Sequence, residues 1–191
     1  MTYSGLELNT MEKHKKELRL YNLIFPLWFM VWFPGWWWLI LIPANYFLDR
    51  FVLKRCLDKK IPENKHLLKK YSWKVCLFGF LSDFIGALFL LGIFMGISFI
   101  GERMIDNNHK ELGLKIARWS GSGMINVWQD PLTFIIAVAG VALSALMIYI
   151  FNKKMLRKNT EIGEENARYC AKWLAIATAP YLYLIPMYFG G

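Results

Sequence analysis

"VCLFGFLSDFIGALFLLGIFMGISFIG", residues 75–101, carries a single formal charge, Asp83, among 27 positions. An α-helix crosses a hydrocarbon core of about 30 Å with roughly 20 mostly apolar residues, so this stretch is long enough to span. Three more apolar stretches accompany it, at 20–48, 131–151 and 173–190. Over the 191 residues, 56% are hydrophobic and 19% charged, against about 25% charged in soluble domains. The expected class is all-α: a polytopic integral membrane protein with four apolar segments. Three of these are read as transmembrane helices, and the first as a segment broken by proline and glycine. The charged run "MEKHKKELR" at 11–19 precedes the first segment and no small-residue cleavage site follows it, so removal as a signal peptide is not expected.

The charges orient this plan. Residues 49–74 hold nine Lys and Arg against three acids, and 152–173 hold six against three. Residues 101–130 hold four of each, and 1–22 hold four basic against three acidic. Cytoplasmic loops carry the Lys/Arg excess. The 49–74 and 152–173 connections are therefore expected inside, the 101–130 loop outside, and the C-terminus outside. The location this implies is a plasma membrane, read here as a bacterial cytoplasmic membrane.

The first segment leaves two readings. "WFPGWWWLILIPANYFLDR", residues 32–50, places Pro34 and Gly35 at its middle. Proline removes a backbone donor and glycine weakens a helix further. A re-entrant hairpin keeps 19 Lys/Arg inside and 4 outside, whereas a full kinked span gives 15 and 8. Against the hairpin, a turn at membrane depth is tolerated only where protein or water surrounds it. Both readings stay open. The whole chain is then one membrane domain. It runs as a basic amphipathic helix (1–22), the broken segment (23–48), a basic connection (49–74) and a span (75–101). An outer loop with an interfacial helix over "HKELGLKIARW" (102–130), a span (131–151), a basic loop (152–172) and a last span (173–190) follow.

Asp83 is the main candidate for function. An acid inside a span is costly unless paired, protonated or wet, and such residues mark ion or substrate pathways. It serves equally as structural glue, bonded to Asn45, Arg50 or a tyrosine hydroxyl. Asn45 and Asp49 are four apart and share a helix face, which makes Asn45, Asp49 and Arg50 further pathway candidates. Asp49 beside Arg50 also reads as a solvated or self-paired group. Gly79 and Gly86 lie near Asp83 on a helical wheel, and Gly92 and Gly96 lie opposite, in small-xxx-small spacing that suits close helix contact. Gly140 and Ser144 offer a matching face in 131–151. Pro180 and Pro186 bracket Tyr181 and Tyr183, so the last segment can break and line a cavity. Trp32, Trp36, Trp37 and Trp38 are candidates for an aromatic pocket, or for ordinary packing.

Cys56, Cys76 and Cys170, with His14, His66 and His109, form no ligand spacing, and no metal or other cofactor is expected. No catalytic signature is present, so an enzyme is not expected. Lys54, Arg55, Lys59, Lys60, Lys65, Lys69 and Lys70 sit beside the membrane, where they suit anionic lipid headgroups or a docking partner. With no folded aromatic reader, nucleic acid is not an expected partner. Two functions follow. One is a small permeation or transport protein for an ion, proton or small solute, with Asp83 and the broken first segment lining the route and a homo-oligomer expected because one short chain encloses little. The other is a non-catalytic membrane subunit, anchor or sensor that docks a membrane or cytoplasmic partner through its basic loops. A cysteine introduced near residue 5 separates the first-segment readings: the hairpin predicts labelling by an impermeant thiol reagent from the cytoplasmic side only. Labelling from outside eliminates it.

Overall fold

In the computed structural model, residues 35, 38–61, 65–107 and 109–185 are described, and every regular element among them is helical. They form α1 (Trp38–Lys60), α2 (Lys65–Asp106), α3 (Lys110–Ile125), α4 (Pro131–Leu156) and α5 (Gly163–Ala177), then a 3-10 turn (Tyr181–Leu184).

Helix α2 has 42 residues, about 63 Å at 1.5 Å per residue. No proline interrupts it, and its glycines are tolerated because a helix satisfies its own backbone groups. Helix α4 starts on a well-made cap: Asp130 accepts from the Thr133 amide at 3.0 Å, and Pro131 takes the first helical position. Proline there loses no hydrogen bond that the helix would otherwise make. Lys153 and Lys154 in its last turn complement the helix dipole. Helices α2 and α4 are long and apolar enough to cross a membrane, and only 28% of each apolar window is buried inside the protein. Leu77, Leu88 and Phe99 on α2, and Ile135 and Leu146 on α4, are exposed. A soluble core helix would bury such side chains, so the two helices carry an apolar surface fit for lipid.

The two run antiparallel. A Cβ on Gly86 would lie 3.0 Å from the Gly140 carbonyl and collide with Ser144, and one on Gly140 would lie 2.7 Å from Leu90. Only glycines permit this approach. Further along, the Phe78 and Phe151 rings sit 5.6 Å apart. Helix α1 packs antiparallel on the first half of α2, with Arg50 near Ser72 and Trp38 stacked on Phe80. Its start therefore reaches only to the middle of α2. Leu53, Leu57, Leu67, Leu156, Ile162 and Leu174 form a common core. That core brings the basic connections 49–74 and 152–173 to one end of the bundle.

Two expectations are corrected. Residues 173–190 do not form a spanning helix in their described part. Helix α5 begins at Gly163, where a φ of 72° suits glycine, and it ends at Ala177, ahead of Pro180. Its 15 residues fall short of the roughly 20 that a span requires. Beyond it the chain continues toward the far end as the 3-10 turn, where Trp128 Nε1 donates to the Leu184 carbonyl at 2.7 Å. Second, "HKELGLKIARW" is helical but runs back along α2 as the second arm of a hairpin. A Cβ on Gly113 would lie 2.5 Å from the Gly101 carbonyl, and Ser120 donates to the Phe94 carbonyl at 2.6 Å. Gly92 and Gly96, expected to meet a neighbour within the chain or in an oligomer, make no close contact among the described residues; an added Cβ meets nothing within 4 Å. The N-terminal helix over 1–22, the first arm of the broken segment and Pro34 lie outside the described residues.

The glycines give a paired test in thermal unfolding of the detergent-solubilised protein. Gly86→Leu overpacks the α2–α4 crossing and is expected to destabilise by about 1–3 kcal/mol or more. Gly92→Leu is expected to stay within about 0.5 kcal/mol of wild type.

Candidate functional site

Polar side chains converge where α1, α2, α4 and the chain after α5 meet. Helix α2 supplies Gly79 and Asp83, one turn apart and on one face. Asp49 comes from α1 and is only 3% exposed. Its Oδ2 lies 3.3 Å from the place a Cβ would occupy on Gly79, so the missing side chain there makes room for the carboxylate. Asp49 therefore sits about one helical turn from Asp83, toward the basic end. It also interacts with the Thr178 side chain, whose hydroxyl donates to the Leu174 carbonyl at 2.8 Å.

Helix α4 supplies Ser144, fully buried against Gly86, three residues along from Asp83. The 3-10 turn supplies Tyr183, whose hydroxyl donates to the Asp83 backbone carbonyl at 2.7 Å. Ser82, next to Asp83, turns back to the Phe78 carbonyl at 2.7 Å. Among the described residues, Asp83 Oδ1 is buried without a hydrogen-bond partner, as is Asn152 Oδ1 elsewhere on α4, while the Ser144 hydroxyl lies by that of Tyr183. Buried polar atoms are nearly always partnered, and each exception calls for an explanation. Two carboxylates a turn apart repel when both are charged, and a proton or cation between them relieves that repulsion. Thr178 lies by Asp49 and Ser144 by Tyr183, so the polar groups around the two carboxylates are oxygens; among the described residues no group of three or more His, Cys, Asp or Glu could hold a metal ion.

The sequence-derived candidates separate here. Asp83 and Asp49 come together, with Gly79, Gly86, Gly140 and Ser144 as the packing that seats them. Asn45 is half-buried one turn before Asp49 on α1. Arg50 is not the partner of Asp83: it turns to the Tyr46 hydroxyl at 3.3 Å and Ser72 at 3.4 Å. Asp49 is neither solvated nor paired with Arg50, because adjacent residues on a helix point about 100° apart. Trp38 is half-buried on Phe80, 5.9 Å between ring centroids; Trp32, Trp36 and Trp37 lie outside the described residues. Lys54, Arg55, Lys59, Lys60, Lys65, Lys69 and Lys70 are all exposed. The tyrosine hydroxyl expected near Asp83 is present as Tyr183, bonded to the backbone rather than to the carboxylate. Thr178 had no signal of its own. Gly101 and Gly113 did, in the small-xxx-small spacing of Gly113 and Ala117.

No known protein family, curated protein or solved structure matches this chain. The class it defines rests on its own architecture: an all-helical protein with two helices long and apolar enough to span a membrane.

An acid held for function is a burden on stability. Asp83→Asn is therefore expected to unfold in detergent at a temperature equal to or above that of wild type. A loss of several kcal/mol would instead mark Asp83 as structural.

Proposed function

We propose that this chain is a small, non-enzymatic membrane permeation or transport protein for protons or a small hard cation. Asp83 and Asp49 hold the ion between α1, α2, α4 and the 3-10 turn. The observation that carries this reading is the buried, unpartnered Oδ1 of Asp83 beside the buried carboxylate of Asp49 in an apolar region. Acids at such depth are functional candidates by default. Helix α1 starts at Trp38, which stacks on Phe80, three residues from Asp83 along α2, and this placement supports the reading that the first segment lines the route. The basic end faces the cytoplasm, following the Lys/Arg bias. A homo-oligomer completes the enclosure, since among the described residues one side of α2 stays exposed.

A docking role is the second reading, favoured by the exposed basic face of α1 and the start of α2. It predicts no flux, and co-purification of a partner that is lost when Lys and Arg in 54–70 are neutralised. For permeation, the test is flux of protons, sodium or potassium in liposomes holding the purified chain. Asp83→Asn is expected to abolish the signal and Asp49→Asn to lower it about tenfold or more, with fold and oligomer intact. Unchanged flux in Asp83→Asn rejects the mechanism.

A further inference from the structure

A groove of about 590 Å³ opens between α2 and α4 at the basic end of the bundle. Its floor is apolar: Leu77 and Phe78 from α2, Phe151 and Met155 from α4. Its mouth carries Lys74, Lys154 and Lys158, all exposed. The order along the axis is regular. Phe78 faces Phe151 at 5.6 Å; Lys74 lies one turn beyond Phe78, and Lys154 three residues beyond Phe151. Lys158 follows in the turn after α4. Lys74 Nζ stands 5.8 Å from the Tyr71 ring centroid, which holds it at the rim.

No acid lines this groove. Two acids of the loop and helix that follow α4 are engaged elsewhere: Glu161 with His66 at 2.6 Å and Glu164 with Arg168 at 2.7 Å. Three lysines and no acid thus line one apolar groove, at the edge of the apolar stretches of both helices. We propose that the groove is a binding site for an anionic diacyl phospholipid, its phosphate among Lys74, Lys154 and Lys158 and its acyl chains on Leu77, Phe78 and Phe151. Basic pockets between helices at the cytoplasmic face recognise such headgroups. A free phosphate or soluble anion would gain nothing from the apolar floor. The site differs from the exposed basic face of α1, and it rests on α2 and α4 crossing a bilayer.

The test uses the full chain, purified from membranes in mild detergent, with native mass spectrometry. Phosphatidylglycerol and phosphatidylcholine of identical acyl chains are titrated separately. Phosphatidylglycerol is expected to bind at least about tenfold more tightly. Lys74→Gln, Lys154→Gln and Lys158→Gln together are expected to bring the two lipids within about twofold. Leu77→Trp, which fills the floor but keeps the lysines, is expected to weaken phosphatidylglycerol several-fold. Lys54→Gln, Lys59→Gln and Lys60→Gln, at the same end but outside the groove, are expected to leave the preference intact. Equal binding of the two lipids, or a preference that survives the groove substitutions, overturns the proposal. Displacement of the lipid by inorganic phosphate overturns the lipid assignment. Release of the chain from membranes by alkaline carbonate overturns the bilayer reading and this site with it.

Discussion

The close crossing of α2 and α4 at Gly86 and Gly140 is the contact on which the rest depends. Between two apolar helices in lipid, burial of hydrophobic surface adds little, because the surroundings are as apolar as the side chains. Association then relies on close packing, and Leu90 seated on Gly140 with Ser144 on Gly86 supplies it. This contact also sets rotation. With Gly86 inward, Asp83 and Gly79 lie toward the same interior, while Gly92 and Gly96 turn away. Eight residues along α2 toward the basic end from Gly86, Phe78 meets Phe151 and the groove with its lysines begins.

Around this pair, α1 and the chain after α5 act as walls. The apolar cluster at the basic end, with Leu53, Leu67, Ile162 and Leu174 fully or nearly fully buried, fixes α1 against α2 and thereby delivers Asp49 to the space left by Gly79. A second cluster, including Ala87, Leu90, Phe94 and Tyr183, fixes the 3-10 turn and its hydroxyl on Asp83. The proposed ion site is thus built by two cores, one on each side along the helix axis. The end of α5 before Pro180 belongs to this construction: a helix continued through that point would carry Tyr183 on a different path.

Much of the architecture is legible in the residues. The runs 75–101 and 131–151 are apolar without interruption apart from Asp83, and length with composition suffices to read such helices. Asp83 stands out because a charge there has no surface to reach. Other features depend on tertiary contact. Hydropathy places the last helix at 173–190, but α5 starts at Gly163 because its buried face, with Ala167, Cys170 and Leu174, packs on α1 and α4. Polar residues occupy its other face and mask it in any count of apolar content. Asp49 and Arg50 are neighbours in sequence, and only the face of α1 that meets α2 decides which is buried. Tyr183 reaches Asp83 across 100 residues, a separation that no local pattern encodes. Gly101 and Gly113 are visible as small residues, yet their pairing requires the hairpin that brings α3 back along α2.

In the proposed function, Asp49 and Asp83 act as one coupled pair inside the bundle. A double-mutant cycle on unfolding stability, with Asp49→Asn, Asp83→Asn and the combined variant, measures that coupling directly. Once one charge is gone, removing the second relieves less repulsion. The combined effect is therefore expected to depart from the sum of the single effects by about 1 kcal/mol or more. Additivity within about 0.5 kcal/mol, the behaviour of independent sites, would contradict the account.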